Sequence, residues 1–453
     1  MFFLLVVSPV LQAQPWPAPE LPDTSGYGLY TSRTLHLLHS STAEEPNTVK
    51  ILVYGQSISE QAWWLQVKAH LESRFPHVRL IMENKAIGGF SSQILCKTVE
   101  MDVSSFYPDL VLLHIYGSNT AYDSVLYTIR SRTTAEVAIQ TDHYTGENAW
   151  SDTMSYHLLP ALAEKYKCDV INIRDPWKKY LAERHLQPAD LLRDNVHLNA
   201  WGEFLMAELI MPFFDVYPGP VSDPLGLLTT FRVGEDIDFE EGVLVLEFDG
   251  NRAVAVFDTA VRSEPCRATV RVDGHAPSEY AGTWFMTRPY ANDGRAWPWQ
   301  LPAMIRVQRT APWVEEEWTC TFTEAGPPYD DFQFEIRGSH TGFDGAGRGS
   351  EDFVSLSGRV IIGSGDAQDG GDWHLKRSYR VLKTETRPGD VVRWKTYSTG
   401  VDTLLVPAAS GPDADSTVTL FQGIPNGPHQ LAIRSRDGQP LPLVEIRVYR
   451  PPF

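Results

Sequence analysis

Cysteine is scarce: four among 453 residues. None form a C-x-x-C pair, which excludes a zinc ribbon, a thioredoxin-type centre and a disulfide-built scaffold. Basic residues are outnumbered, 39 Lys and Arg against 57 Asp and Glu, giving a formal net charge of −18. Such a surface repels phosphate and argues against a nucleic-acid partner. Long apolar runs are missing as well, since no stretch reaches the ~18–20 residues that span a bilayer. No Asn-x-Ser/Thr sequon, short repeat or coiled-coil heptad occurs. Hydrophobic residues make up 43% of the chain and charged residues 21%, so wholesale disorder is excluded. At ~100–200 residues per domain the length implies two or three domains.

The chain starts with apolar Met1 to Val7, and Leu11-Gln12-Ala13 offers a small-residue cleavage zone. Residues 1–14 thus resemble a signal-peptide core, although no Lys or Arg precedes Arg33; a proline-rich extension, 15–44, follows. The expected location is secreted or periplasmic. Cys96 and Cys168 lie in apolar surroundings of the first half, Cys266 and Cys320 in the β-rich second half, and all four read as buried thiols. After export, a Cys266–Cys320 pair is the alternative.

From about residue 45 to 217, short apolar runs alternate with helical segments. Strands are expected at 49–54, 78–82, 110–115, 136–140 and 168–173, and helices at about 60–75, 153–166 and 200–213. Continuous apolar strands separated by helices imply a parallel sheet covered on both faces, an α/β fold. Pro218 to Pro224 opens a linker, 218–226. Beyond it the pattern turns to period two, as in Val243 to Phe248 and Ala268 to Val272, with turns at Asp249-Gly250 and Asp273-Gly274. Residues 227–453 therefore read as a β-sandwich. Residues 282–385 carry Trp284, Trp297, Trp299, Trp313, Trp318 and Trp373 and read as an insertion or a small β unit. Alternation resumes at 391–394.

Four short motifs fall where such a sheet places its ligands, at the carboxyl ends of strands. Ser57, in Tyr54-Gly55-Gln56-Ser57, follows the first strand and faces a helix N-terminus, which favours developing negative charge. Gly88 and Gly89 follow the second strand, where backbone can approach a ligand closely. Asn119 follows the third and can aim an amide at an oxyanion. Asp194-Asn195-Val196-His197 precedes the last helix, a spacing that lets a carboxylate orient an imidazole. Taken singly, each has an ordinary use: a helix cap for Ser57 and Asn119, a turn for the glycines, a surface loop for His197.

Together, in this order, they resemble the SGNH, or GDSL-like, hydrolase family over about residues 45–215. The resemblance implies a three-layer α/β/α, flavodoxin-like domain and a two-step acyl transfer. It assigns Ser57 as nucleophile, His197 as general base and Asp194 as its orienting carboxylate. The oxyanion would be held by the Ser57 and Gly89 backbone N–H groups and the Asn119 amide. No metal or cofactor is implied. Two departures stand out: Gly-Gln-Ser replaces Gly-Asp-Ser, and no Asp follows Asn119. Gln56 at that place occurs in some carbohydrate O-acetyl esterases of this superfamily, which directs the substrate expectation to acetylated carbohydrate or another small ester. A lipid or thioester hydrolase, or a glycan-binding protein with an inactive hydrolase domain, remain the alternatives.

Around this constellation, Gln56, His143 and Trp63 are candidate substrate contacts. Asp175 and Asp190 are alternative orienting carboxylates. The second half resembles, more loosely, the jelly-roll domains that accompany some SGNH esterases, over about 225–280 and 386–453; this implies packing on the catalytic domain or glycan binding, with tryptophans of the insertion as sugar-stacking faces. Asp344 to Asp352 and Asp366 to Asp372 are Asp/Gly loops without EF-hand spacing, so solvated turns rather than calcium sites are expected.

Overall fold

The computed structural model describes residues 16–217, 219, 223–258, 266–291, 303–406, 417–436, 438–439 and 441–453. The leader, residues 218 and 220–222 of the linker, Trp297 and Trp299 lie outside the described residues.

Five parallel strands in the order β2-β1-β3-β4-β5 form the first sheet. They are β1 (Thr48–Gly55), β2 (Arg79–Asn84), β3 (Leu110–His114), β4 (Glu136–Gln140) and β5 (Asp169–Ile171). Among the described residues, nine α-helices accompany them: α1 (Ser32–Ser40), α2 (Ser57–Glu60), α3 (Trp63–Arg74), α4 (Ser92–Val99), α5 (Asn119–Arg132), α6 (Ala149–Thr153), α7 (Leu159–Tyr166), α8 (Arg174–Glu183) and α9 (Ala200–Asp215). Alternate residues of β1 feed two cores. Val49, Ile51 and Val53 pack with α1, α3 and α9, whereas Leu52 and Tyr54 pack with α4, α5 and α7. The sheet is therefore buried on both faces, as its unbroken apolar strands require.

The segment before β1 is part of this fold. Asp169 accepts hydrogen bonds from the Gly28 and Tyr30 N–H groups at 2.8 and 2.9 Å and from the Thr31 hydroxyl at 2.5 Å. Glu136 accepts from the Arg33 and Thr34 N–H groups at 3.0 and 2.7 Å. Two buried acids at the amino ends of β4 and β5 thus secure the entry to α1, a role that the apolar strand pattern hides.

The second half is antiparallel. Its first group of strands comprises β6 (Leu228–Arg232), β7 (Phe239–Glu240), β8 (Val243–Phe257) and β9 (Cys266–Val272). The insertion contributes β10 (Trp284–Met286), β11 (Tyr290–Ala291), β12 (Gln308–Arg309), β13 (Glu316–Glu324), β14 (Gln333–Gly338), β15 (Gly342–Arg348), β16 (Phe353–Val354), β17 (Val360–Ile362) and the helix α10 (Leu375–Leu382). The last strands are β18 (Val391–Ser398), β19 (Thr403–Val406), β20 (Thr417–Ser435) and β21 (Leu443–Tyr449).

One seven-stranded sheet runs β19-β9-β20-β8-β21-β6, with β7 on β8. Along β8 the buried positions change parity at Gly250, from Leu244, Leu246 and Phe248 to Ala253, Ala255 and Phe257. Both ends of the strand consequently enter one core. The insertion forms its own six- and three-stranded sheets over a second core. β18 belongs there, whereas its alternation alone had suggested the seven-stranded sheet: Trp394 sits opposite Trp318 of β13, and their rings stack with centroids 6.4 Å apart. Cys266 and Cys320 are buried in these separate cores, Cys168 is buried too, Cys96 is only half-buried, against the expectation of four buried thiols, and all four are unpaired. Among the described residues no helix is long and apolar enough to cross a membrane.

Candidate active site

β1 ends on Gly55, where a side chain has no room: a Cβ would lie 2.0 Å from the His114 carbonyl oxygen of the neighbouring strand. Gln56 follows in extended conformation and Ser57 begins α2. As the first helical residue, Ser57 has no acceptor for its N–H within the helix.

The imidazole of His197 bridges two side chains. Its Nε2 is 2.9 Å from Ser57 Oγ, and its Nδ1 is 2.8 Å from Asp194 Oδ2. The other carboxylate oxygen, Oδ1, accepts from the N–H groups of Val196 and His197, each at 2.8 Å. These backbone donors, His197 first, hold the Asp194 carboxyl down at about 2, so the carboxylate stays charged at neutral pH. Asp175 and Asp190 do not compete for the imidazole. Asp175 binds the Tyr156 hydroxyl at 2.6 Å and the Asn172 amide at 2.8 Å, while Asp190 binds the Gln187 N–H at 2.7 Å.

The residues after His197 explain their own pattern. Asn199 caps α9, its side chain accepting from Trp201 and Gly202 at 2.9 and 3.1 Å. Gly202 lets α9 lie against the loop, since a Cβ would stand 2.3 Å from the Leu191 carbonyl oxygen. Gln61, between α2 and α3, binds the Leu198 backbone twice: its Oε1 accepts the N–H at 3.0 Å and its Nε2 donates to the carbonyl at 2.8 Å. This amide ties the Ser57 segment to the His197 loop. Nothing in the sequence distinguished Gln61 from any polar loop residue.

Gly88 and Gly89 sit in the turn after β2. A Cβ on Gly88 would be 3.7 Å from Ser57 Cβ, and Gly89 has φ +81°, a left-handed conformation that favours glycine. Asn119 is exposed at the first position of α5, next to Ser118, which caps the helix through Ala121. β3 lies beside β1, with His114 opposite Gly55, so Asn119 and Ser57 project from neighbouring strands at one edge.

The three candidate substrate contacts have other duties. Gln56, with its amide oriented to satisfy both partners, donates to the Phe90 carbonyl at 2.9 Å and accepts the Tyr116 N–H at 3.2 Å. It braces the loops after β2 and β3. Trp63 is fully buried and donates to the Ile58 carbonyl at 2.7 Å, so it packs α3 instead of walling a pocket. His143 is buried and held at about 4, chiefly by desolvation; its Nε2 lies 2.8 Å from the Val196 carbonyl oxygen. Among the described tryptophans of the insertion, Trp284, Trp318 and Trp373 are buried, the last two in its small core, while Trp313 is half-buried and stacks on Trp284 with centroids 6.3 Å apart. The aspartates of its Asp/Gly loops bind local groups, Asp344 the Ser357 N–H at 2.7 Å and Asp372 the Arg306 Nε at 3.0 Å.

Aromatic surface occurs beyond the carboxyl edge of the parallel sheet. Tyr116, whose N–H is held by Gln56, packs its ring 5.5 Å from that of Trp150, which is 40% exposed. Both lie beyond the carboxyl ends of strands, β3 and β4. Glu60 is a second residue not foreseen. Burial raises its pKa, and the Gly88 N–H, His197 and Arg193 oppose that rise.

No family model matches the chain, and no curated protein matches it. Among solved structures it is similar to a two-domain esterase (CEX) active on acetylated mannans, at 13% identity over 94% of this chain and 96% of that one, with a TM-score of 0.39. An α/β hydrolase from the metagenome of Lake Arreo, Spain, is 21% identical over 37% of this chain and 96% of its own, with a TM-score of 0.34. An acetylxylan esterase from Geobacillus stearothermophilus is 18% identical over 37% of this chain and 94% of its own, also with a TM-score of 0.34.

Proposed function

We propose that the protein is a serine carboxylic ester hydrolase that removes O-acetyl groups from carbohydrate outside the cytoplasm. One observation carries the reading: an unbroken hydrogen-bonded chain from Ser57 Oγ through His197 to Asp194, with steps of 2.9 and 2.8 Å. Serine is a poor nucleophile at neutral pH and needs a base in hydrogen-bond reach.

His197 takes the Ser57 proton through Nε2 as Oγ attacks the ester carbonyl carbon. Asp194 fixes the tautomer with the proton on Nδ1 and stabilises the imidazolium. The carbonyl oxygen, now negative, lies among the Ser57 and Gly89 N–H groups and the Asn119 amide; losing one such donor typically costs ~10²–10³ in rate. The imidazolium returns its proton to the leaving alcohol. Water, deprotonated by His197, then releases the acid from the acyl-enzyme and restores Ser57.

The carbohydrate part of the proposal is supported by the Tyr116–Trp150 pair at the same edge, since an exposed ring face suits a sugar ring. The Gly-Gln-Ser variant of the first motif points the same way. The test is hydrolysis of p-nitrophenyl esters from acetate to decanoate, followed by acetylated polysaccharide. Fastest cleavage of acetate, with Ser57→Ala inactive, is expected. A preference for decanoate would replace the substrate class by lipid, and equal turnover by Ser57→Ala would end the triad reading.

A further inference from the structure

The turn that carries Gly89 is held from both halves of the chain. The Phe90 N–H donates to the Ile87 carbonyl at 3.1 Å, and Gly89 stands third in the turn with φ +81°, as a type II turn requires. The Ile87 N–H donates to the Gly55 carbonyl at 3.1 Å. The Gly88 N–H donates to the Glu60 carboxylate. The Phe90 carbonyl accepts from Gln56. The Gly89 carbonyl accepts from Arg377 Nη2 at 3.1 Å. The Gly89 N–H has no acceptor among the described residues.

Arg377 comes from α10, 288 positions further along the chain. The neighbouring His374 meets the Phe90 ring edge-on, with centroids 5.2 Å apart. Arg377 Nε is buried without a hydrogen-bond partner, and a Cβ on Gly89 would touch Nη2 at 3.5 Å. The guanidinium therefore lies directly on the turn.

Type I and type II turns differ by a flip of their central peptide, which here joins Gly88 to Gly89. With glycine on both sides no Cβ resists that flip. A flip would turn the Gly89 N–H away from where the substrate oxygen develops its charge. We propose that Arg377 is a positioning residue for ester hydrolysis: it holds the Gly89 carbonyl, in the peptide after Gly88–Gly89, while Glu60 holds the Gly88 N–H, in the peptide before it, and this clamp on both sides sets the Gly88–Gly89 peptide, so that the β-rich half completes the oxyanion site. This rests on the esterase reading above.

The test uses the full chain, p-nitrophenyl acetate and Arg377→Met. An oxyanion donor acts in the transition state, so kcat should fall about 10- to 100-fold with KM within about twofold. The pH–rate profile should keep its shape, because the His197–Asp194 pair is untouched, and Arg377→Lys should regain part of the rate. Gln422→Met breaks another contact between the halves, Nε2 to the Ser104 carbonyl at 2.7 Å, and should keep the wild-type rate. Arg377→Gln replaces the Met variant if that one melts below the assay temperature. An active wild type with a folded Arg377 variant within twofold of it would overturn the proposal. So would an equal loss in Gln422→Met, which would assign the effect to docking alone. Labelling by a serine-directed phosphonate separates the two readings: wild type labelled at Ser57 keeps the esterase reading whatever Arg377 does, and wild type both inert and unlabelled ends both.

Discussion

The imidazole of His143 holds the carbonyl of Val196. Their separation is 2.8 Å, and since a carbonyl only accepts, Nε2 carries the proton. The loop of Asp194 and His197 thus hangs from a buried, neutral histidine beyond the end of β4. That histidine faces His114 and Asp142 below it and Arg174 from α8.

Stability should fall on acidification through this residue. Burial places the folded pKa at about 4, below the ordinary 6.5, so the unfolded chain binds the proton first. The native state loses stability as pH drops from 6.5 towards 4, by up to ~3 kcal/mol for a shift of this size. Urea unfolding at pH 7.5 and 4.5 measures the loss. His143→Gln should flatten it, and an unchanged pH slope in that variant would assign the effect elsewhere.

Asp194→Asn keeps the loop's shape but removes the charge opposite His197 Nδ1. Loss of the tautomer-fixing carboxylate lowers kcat by ~10⁴ in the best-studied serine triad. The Asp194 side chain is half exposed, 51%, so water shares in solvating the imidazolium and a smaller fall of ~10²–10³ is expected. Steady-state hydrolysis of an acetate ester gives the value. A variant within tenfold of wild type would remove Asp194 from the mechanism.

Gly202→Ala should damage stability and activity together. Its Cβ would meet the Leu191 carbonyl oxygen at 2.3 Å and Leu198 Cβ at 3.2 Å, and backbone cannot step aside as a side-chain tip can. Overpacking of this kind costs ~1–3 kcal/mol. Displacement of α9 would also lengthen the Ser57–His197 contact. A melting curve with a parallel rate assay would show both effects, whereas a variant that loses neither would mean that the loop yields freely.

Asp102 and Arg288 join the two halves below the site. Arg288 Nε donates to Asp102 Oδ1 at 2.9 Å, a second guanidinium nitrogen reaches Oδ2, and Asp102 is buried. Removing one partner of a buried pair leaves the other charge desolvated, at a cost of ~3–5 kcal/mol. Asp102→Ala should therefore unfold at markedly lower urea than wild type. A midpoint within experimental error of wild type would show that water reaches Arg288.

The parallel sheet was readable because its strands are buried on both faces and so are apolar without interruption; 136–140 agrees residue for residue. The triad was readable because the His197 motif is local: Asp194, His197, Asn199 and Gly202 serve one loop and one helix start. What escaped depends on distant partners. Gln61, Glu60 and Arg377 are ordinary polar residues until the fold brings Leu198, Gly88 and Gly89 to them. The short period-two run at 391–394 misled for a related reason, since alternation fixes a strand's faces but not the sheet it joins. Trp63, Trp318 and Trp373 are buried because large aromatic side chains serve a core first.

The acids at the amino ends of β4 and β5 impose an order on synthesis. Gly28 and Arg33 leave the ribosome first, yet their partners Asp169 and Glu136 follow 141 and 103 residues later. The earliest segment of the chain thus waits, unsatisfied, until the sheet is almost finished. Contacts of such long separation are slow to close. The segment from Gly28 to Thr34 can therefore settle only after β4 and β5 have been made.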